Sequence, residues 1–182
     1  MSDLIQQINE HLARKCPPHL FPRVDQFAVA RAEASLGLRI PELLKRCYTE
    51  VANGGFGPGR GVLGVEGGFA GDYGNLLGNY HQFVTGFQST GRVWQKDLLP
   101  FCAWGCAILS CVTCDLSLEV TTFDSGSVWP QKYTVEQFFQ MWLDGVDILR
   151  ADPNVYEAEN KLTNPFTGKP WKTRTLRRRG SE

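Results

Sequence analysis

The fold of this chain is decided by residues 33–55, which read EASLGLRIPELLKRCYTEVANGG. Gly37 supplies the left-handed residue that closes a helix, and Pro41 is a good first position for the next helix. The segment ends in Asn-Gly-Gly at residues 53–55, where the backbone can turn because both residue types tolerate left-handed conformations. Residues 33–55 therefore predict two consecutive helices, joined by a short link and halted by a sharp turn.

Besides the helix that begins at Pro41, three helices are indicated by apolar spacing and by end signals. Residues 2–15 carry an apolar stripe with Ser2 as N-cap, and the prolines at 17 and 18 end that helix. Residues 25–36 form the helix that Gly37 closes. A glycine-containing stretch at residues 75–87 predicts another helix.

The sharpest local signal is a helix predicted over residues 134–149. Thr134 and Gln137 have the spacing of a capping box, and Tyr133 and Phe138 that of a hydrophobic staple. Apolar side chains then repeat on one wide face as far as residue 149, which predicts a helix that packs against a core.

The segment between these helices is β-prone. Val62, Leu63 and Val65 predict one short strand, and residues 101–115 and 116–123 predict longer ones, with a turn at residues 124–127. Helices, then strands, then a helix indicate an α+β fold with a mostly antiparallel central sheet and helices packed around it.

Length and composition fit one globular domain. The chain has 182 residues, 42% of them hydrophobic and 21% charged, which is enough apolar material for a single core. We predict one domain over residues 1–152, with its core at about residues 20–148. Residues 153–182 are predicted to be a polar, basic C-terminal extension.

Charge is unevenly distributed although the formal net charge is zero. Residues 171–182 carry a net charge of +4, and the preceding 170 residues carry −4. A nucleic-acid-binding domain presents clustered basic residues on its folded face, so an acidic body argues against that class. No apolar leader or membrane-spanning stretch is visible in the sequence, which predicts a cytoplasmic protein with reduced cysteines and no membrane partner.

Four cysteines raise the question of a metal site. Cys102, Cys106, Cys111 and Cys114 give the spacing C-x3-C-x4-C-x2-C, and four thiolates can hold zinc. No turn residue separates Cys111 from Cys114, and residues three apart on a strand point to opposite faces. We therefore interpret these cysteines as small apolar core residues, and we predict no metal and no cofactor.

Other catalytic patterns are weak. None of the three histidines has a partner at metal spacing, and the glycine-rich run at residues 54–61 lacks the Gly-Lys-Ser/Thr ending of a phosphate-binding loop. That run is interpreted as a flexible surface loop. The sequence thus favours a binding protein over an enzyme.

The opening segment resembles the SUKH superfamily, which contains fungal cell-wall regulators and bacterial immunity proteins. The residues that match its signature in order are Glu33, Leu36, Gly37, Pro41, Leu44, Tyr48, Asn53, Gly54 and Gly55. Looser likeness extends over about residues 20–148. We interpret the matched residues as mainly structural.

The resemblance implies a cytoplasmic immunity protein that neutralises a cognate nuclease or deaminase toxin by direct contact. Polar and aromatic residues on the loops are the predicted partner contacts, namely Phe56, Arg60, Glu66, Phe69, Asp72 and Tyr73. One alternative is a housekeeping scaffold module that binds other proteins. Another is a thiol- or zinc-dependent enzyme that uses the cysteines between residues 102 and 114.

Overall fold

The computed structural model describes residues 3–15, 20–89, 94–124 and 126–151. The helices are α1 (Leu4–Lys15), α2 (Gln26–Leu36), α3 (Glu42–Arg46), α4 (Leu76–Ser89), α5 (Val135–Leu143) and α6 (Ile148–Ala151). A π-helical turn, Cys47–Val51, continues α3. The strands are β1 (Gly61–Val62), β2 (Leu98–Gly105), β3 (Ile108–Thr113), β4 (Glu119–Asp124) and β5 (Ser127–Thr134).

The five strands form one antiparallel sheet in the order β1-β2-β3-β4-β5, so every strand pairs with its neighbour in sequence. This arrangement confirms the predicted α+β class. β1 is shorter than the strand predicted around residues 62–65, because the chain leaves the sheet after Val62.

The helix ends follow local chemistry. The Asp25 side chain accepts a hydrogen bond from Ala28 N at 2.7 Å and caps α2, and Gly37 closes that helix with φ of 67°. Pro41 is the N-cap of α3 and not its first residue, so the helix begins at Glu42, one position later than predicted. The predicted N-cap Ser2 lies outside the described residues.

α5 begins as predicted but ends early. Gln137 N donates to Thr134 Oγ1 and Thr134 N donates to Gln137 Oε1, which confirms the capping box. The predicted extent to residue 149 is wrong, because α5 stops at Leu143 and Gly145 has φ of 76°. A left-handed residue here turns the chain away, although the apolar spacing continues.

Two predicted strand segments contain turns. Residues 101–115 are split into β2 and β3 by a tight turn in which Cys106 and Ala107 have φ of 51° and 64°. β4 begins at Glu119, so residues 116–118 lie in the β3–β4 turn. Positive φ at non-glycine residues leaves no sequence signal of the kind that glycine gives.

Aromatic side chains fill the interior. The Phe101 ring packs edge-on against Phe138 of α5 at a centroid distance of 5.0 Å. The Phe83 ring of α4 lies 4.5 Å from that of Phe123 on β4. Residues 120–123 of β4 are all buried, and since successive strand residues point to opposite faces, β4 is covered on both faces.

β5 is the long edge strand of the sheet. It carries Pro130 opposite Thr121 and an exposed Lys132. Proline has no backbone N–H to donate, so it is typical of edge positions.

The chain divides into two compact units, one ending at Val146 and one beginning at Asp147, and α6 belongs to the second. The basic extension predicted at residues 153–182 lies outside the described residues. Within the part of the chain that is described, no helix has both the length and the apolar character required to cross a membrane.

Candidate protein-binding surface

Glu33 connects α2 to α3 through its side chain. Its Oε1 accepts a hydrogen bond from Ile40 N at 2.9 Å, and its carboxylate lies 3.5 Å from Arg39 Nη1 and 3.6 Å from Lys45 Nζ. The Glu33 side chain is only 12% exposed. These contacts fix the angle between the two helices, a role that the sequence did not reveal.

Tyr48 joins the π-helical turn to the segment after β1. Its ring is fully buried, and its hydroxyl donates to Leu63 O at 2.9 Å. Burial raises the pKa of Tyr48, with smaller contributions from the nearby thiols of Cys47, Cys102 and Cys114. The hydroxyl therefore stays protonated and serves as a structural donor.

Asn53 ties the end of the helical segment to the following loop. Val65 N donates to Asn53 Oδ1 at 2.8 Å, and Asn53 Nδ2 donates to Glu66 O at 3.1 Å. Phe69 N donates to Asn53 O at 3.0 Å, and Asn53 N donates to Phe21 O at 3.2 Å. Asn53 is thus a structural anchor for residues 64–69.

Glycines near Asn53 allow this close approach of backbones. A Cβ on Gly54, where φ is 81°, would lie 2.5 Å from Val62 O, and one on Gly64 would lie 2.3 Å from Asn53 O. Gly55 N also donates to Val62 O at 2.9 Å. Four of the signature residues, Tyr48, Asn53, Gly54 and Gly55, therefore form one connected scaffold with residues 62–69.

Three of the predicted contact residues come together near one end of the sheet. Arg60 Nη1 lies 3.0 Å from Asp72 Oδ1, and Asp72 Oδ2 accepts a hydrogen bond from Ala107 N at 2.9 Å. Tyr73 follows Asp72 and is 39% exposed. We call Arg60, Asp72, Tyr73, Cys106 and Ala107 the Arg60 surface.

The Arg60 surface is held in place by backbone hydrogen bonds. The run at residues 54–61, predicted to be a flexible surface loop, lies largely inside the fold, since residues 54, 56, 58 and 61 are buried. Arg60 N donates to Ala103 O at 2.8 Å, and Gly71 and Gly74 exchange two backbone hydrogen bonds. The Arg60 side chain lies over Gly105, whose Cβ would stand 2.9 Å from Arg60 Nε. Backbone hydrogen bonds on both sides therefore hold this loop against the sheet.

The remaining predicted contacts lie elsewhere. Phe56 is only 3% exposed and stacks on Phe139 at 6.3 Å, so its prediction as a surface contact is wrong. It turns inward because the chain passes directly over α5. Glu66 is exposed and Phe69 is half-buried, with its ring edge-on to that of Phe21. Both are positioned by Asn53.

The four central cysteines are spread over different environments. Cys102 and Cys111 are fully buried in the sheet, Cys106 is exposed in the β2–β3 turn, and Cys114 is partly buried beyond the end of β3. Burial raises the pKa of Cys114 to about 12, with Asp97 and Asp115 adding to the effect. Among the described residues, no three His, Cys, Asp or Glu side chains are grouped to hold a metal ion.

A groove of about 380 Å³ lies between α2 and α3. Its charged side chains are paired with each other: Lys45 Nζ lies 3.0 Å from Glu42, and Arg46 Nε lies 2.8 Å from Glu50. Arg46 also pairs with Asp3, the residue that precedes α1. These ion pairs connect α1 to the α3 segment and have a structural role.

His11 packs against Trp142, with ring centroids 4.8 Å apart, where α1 meets α5. Burial lowers the pKa of His11, and Lys15 and Arg14 lower it further. This histidine is therefore neutral at pH 7 and forms part of the helix packing.

The described part of the chain is acidic, with 15 Asp and Glu against 11 Lys and Arg, a net charge of −4.

No family model matches the chain, and no curated protein matches it significantly.

Proposed function

We propose that this chain is a SUKH-type immunity protein, a non-enzymatic domain that binds a cognate nuclease or deaminase toxin and blocks it by contact. The observation that carries the proposal is that every polar side chain of the signature, those of Glu33, Tyr48 and Asn53, forms a hydrogen bond that holds the fold together. Glu33 bonds to Ile40, Tyr48 to Leu63 and Asn53 to Val65. Each polar residue of the signature thus has a structural task that explains its residue type.

The order of the surface loops supports a role in binding another protein. Tight backbone bonding around Asn53 and in the Arg60 surface leaves loops that are already ordered before a partner arrives. Ordered loops on a packed scaffold lose little conformational entropy on binding, which favours high affinity. The mainly structural cysteines offer little support for the alternative of a thiol- or zinc-dependent enzyme.

Charge supports a toxin that acts on nucleic acid. Enzymes of that kind have a basic groove for phosphates, and an acidic partner is attracted to such a groove. The net charge of −4 on the described residues has the required sign. Electrostatic attraction of this type raises the association rate and falls with added salt.

The proposal is tested by expressing the chain with the protein encoded by the neighbouring gene in bacterial cells. We expect that protein alone to stop growth and co-expression to restore it. Purified components should form a stable complex, and the catalytic activity of the toxin should be lost at equimolar chain. Gly64→Ala, which disrupts the scaffold, should abolish protection, whereas Arg31→Ala on the exposed side of α2 should preserve it.

Two results would contradict the proposal. The first is a neighbouring protein that is toxic but neither binds the chain nor loses activity with it. The second is that the partner isolated with this chain from its source cells has no toxic activity. That result would favour the housekeeping scaffold module instead.

A further inference from the structure

Leu116 stands at the tip of the β3–β4 hairpin with its side chain completely exposed. Its relative exposure is 104%, the highest among the exposed large hydrophobic residues of the described chain. A single exposed leucine is common on protein surfaces. This one differs because the turn that carries it is fixed by its own hydrogen bonds.

The turn is held internally by side chains on either side of Leu116. Asp115 Oδ1 accepts hydrogen bonds from Ser117 N at 2.9 Å and from Ser117 Oγ at 2.6 Å. The Thr113 and Ser117 hydroxyls lie 3.0 Å apart, and Glu119 N donates to Thr113 Oγ1 at 3.0 Å. The tip therefore has a defined conformation.

The base of the hairpin is attached to the rest of the fold on two sides. Cys114 N donates to Asp97 O at 2.8 Å, and Val135 N at the start of α5 donates to Leu118 O at 3.0 Å. Leu116 is thus an apolar side chain on a supported projection. Little ordering is needed for it to bind, which is the condition that favours an anchor residue.

Acidic side chains accompany Leu116. Asp115 and Glu119 flank it in the hairpin, and Asp97 lies at the base. None of these three carboxylates forms an ion pair within the described ranges. The hydrogen bonds from Ser117 hold the pKa of Asp115 below its usual value, so its charge persists at neutral pH.

The hairpin and the Arg60 surface lie at opposite ends of β2. Leu98 pairs with Thr113 at the hairpin end, and Gly105 pairs with Ile108 at the Arg60 end. Arg60 and Asp72 neutralise each other, whereas the acids beside Leu116 have free charge. A basic partner is therefore attracted more strongly to the hairpin end.

We propose that the β3–β4 hairpin, rather than the Arg60 surface, is the element that enters the basic groove of the toxin. Leu116 fills an apolar socket there, and Asp97, Asp115 and Glu119 pair with lysine and arginine side chains on its rim. This inference rests on the proposed function. Anionic lipid surfaces and a second acidic hairpin would both be repelled by the same carboxylates.

The test measures the affinity of purified variants for the toxin encoded by the neighbouring gene, by calorimetry. Leu116→Ala should weaken binding roughly tenfold or more, as expected for a central anchor. Phe27→Ala, which removes a 76% exposed aromatic ring on α2, is the matched control and should stay within about twofold of wild type. Arg60→Glu tests the other end of the sheet and should have an equally small effect.

A second arm tests the charges. Asp115→Asn retains the oxygen that accepts from Ser117, so the double variant Asp115→Asn/Glu119→Gln keeps the hairpin while removing two charges. It should slow association and reduce the salt dependence of binding.

The outcomes separate the two proposals. If wild type binds the toxin but the Leu116 and acidic variants bind equally well, the hairpin is excluded while the proposed function stands. If Arg60→Glu alone weakens binding, the Arg60 surface is the contact. If wild type does not bind, both proposals fail. Leu116-dependent binding to phosphatidylserine vesicles, or Leu116-dependent dimerisation in light scattering, would also overturn the inference.

Discussion

The amide oxygen of Asn53 accepts a hydrogen bond from the backbone N–H of Val65 at 2.8 Å, in buried surroundings. This bond joins the end of the helical segment to the loop that follows β1. The backbone of Val65 has no helix or strand partner for that N–H, so the Asn53 side chain takes the place of a ladder bond.

Asn53→Ala is expected to lower the free energy of unfolding by about 2–3 kcal/mol, because it leaves the buried Val65 N–H without an acceptor. Urea denaturation measures the change. Asn9→Ala, which removes one exposed 3.4 Å bond to Glu50 O, should change stability by less than about 0.5 kcal/mol. Equal effects of the two substitutions would show that Asn53 is not an anchor.

Two glycine substitutions should change the free energy of unfolding in opposite directions. Gly64→Ala places a Cβ 2.3 Å from Asn53 O and 2.7 Å from Gly68 Cα, so it should cost about 2–3 kcal/mol or prevent folding. Gly86→Ala lies within α4, where the nearest atom is 3.9 Å away, and should stabilise by about 0.5–1 kcal/mol. Thermal unfolding compares the two. A neutral Gly64→Ala would refute the close approach of these backbones.

Stability should fall in alkaline solution. Burial raises the pKa values of Cys102 and Cys111 above the ordinary value of 9.0, so these thiols remain protonated in the fold but ionise in the unfolded chain. The free energy of unfolding therefore keeps its full value below pH 9. As the pH rises above 9, it falls by up to about 1.4 kcal/mol per pH unit for each thiol. Urea titrations from pH 7.5 to 10.5 measure the slope.

The comparison for this pH effect is Cys111→Ala, which should reduce the slope above pH 9. Cys106→Ser changes an exposed thiol and is the matched control. Stability that is constant up to pH 10.5 would contradict the buried placement of these thiols.

Thiol labelling should separate the cysteines by environment. Cys106 should react quickly with an alkylating reagent, whereas Cys102 and Cys111 should react at least about 100-fold more slowly, since the sheet must open first. Peptide-resolved mass spectrometry gives each rate. Joint protection of Cys106 and Cys114 that is lost on adding a chelator would favour the zinc alternative.

Local chemistry explains why much of the fold could be predicted. Asp25, Gly37 and the pair Thr134 and Gln137 act within one or two helical turns, so residue type and spacing are sufficient to place those helix ends. The antiparallel class followed from the order of helices and strands, which requires no distant contact.

Features that depend on distant contacts could not be predicted. Phe56 has glycines nearby in sequence, which indicated an exposed loop. Its ring is instead buried because it stacks on Phe139 of α5, which lies far away in sequence. Asn53 was interpreted as a turn residue because its partners, Val65 and Glu66, lie more than ten positions away. Leu116 fitted a strand pattern, and only the pairing register places it in a turn.

The edge strand β5 also limits how this protein associates with others. Because Pro130 offers no N–H and Lys132 carries an exposed charge, another chain gains little by adding itself alongside β5. Sheet extension, the route by which exposed edges seed fibrils, is thus discouraged at this position. Even when the protein is abundant in the cell, we expect it to bind other proteins through side chains and loop tips. Substitutions at those positions can change the partner without altering the sheet.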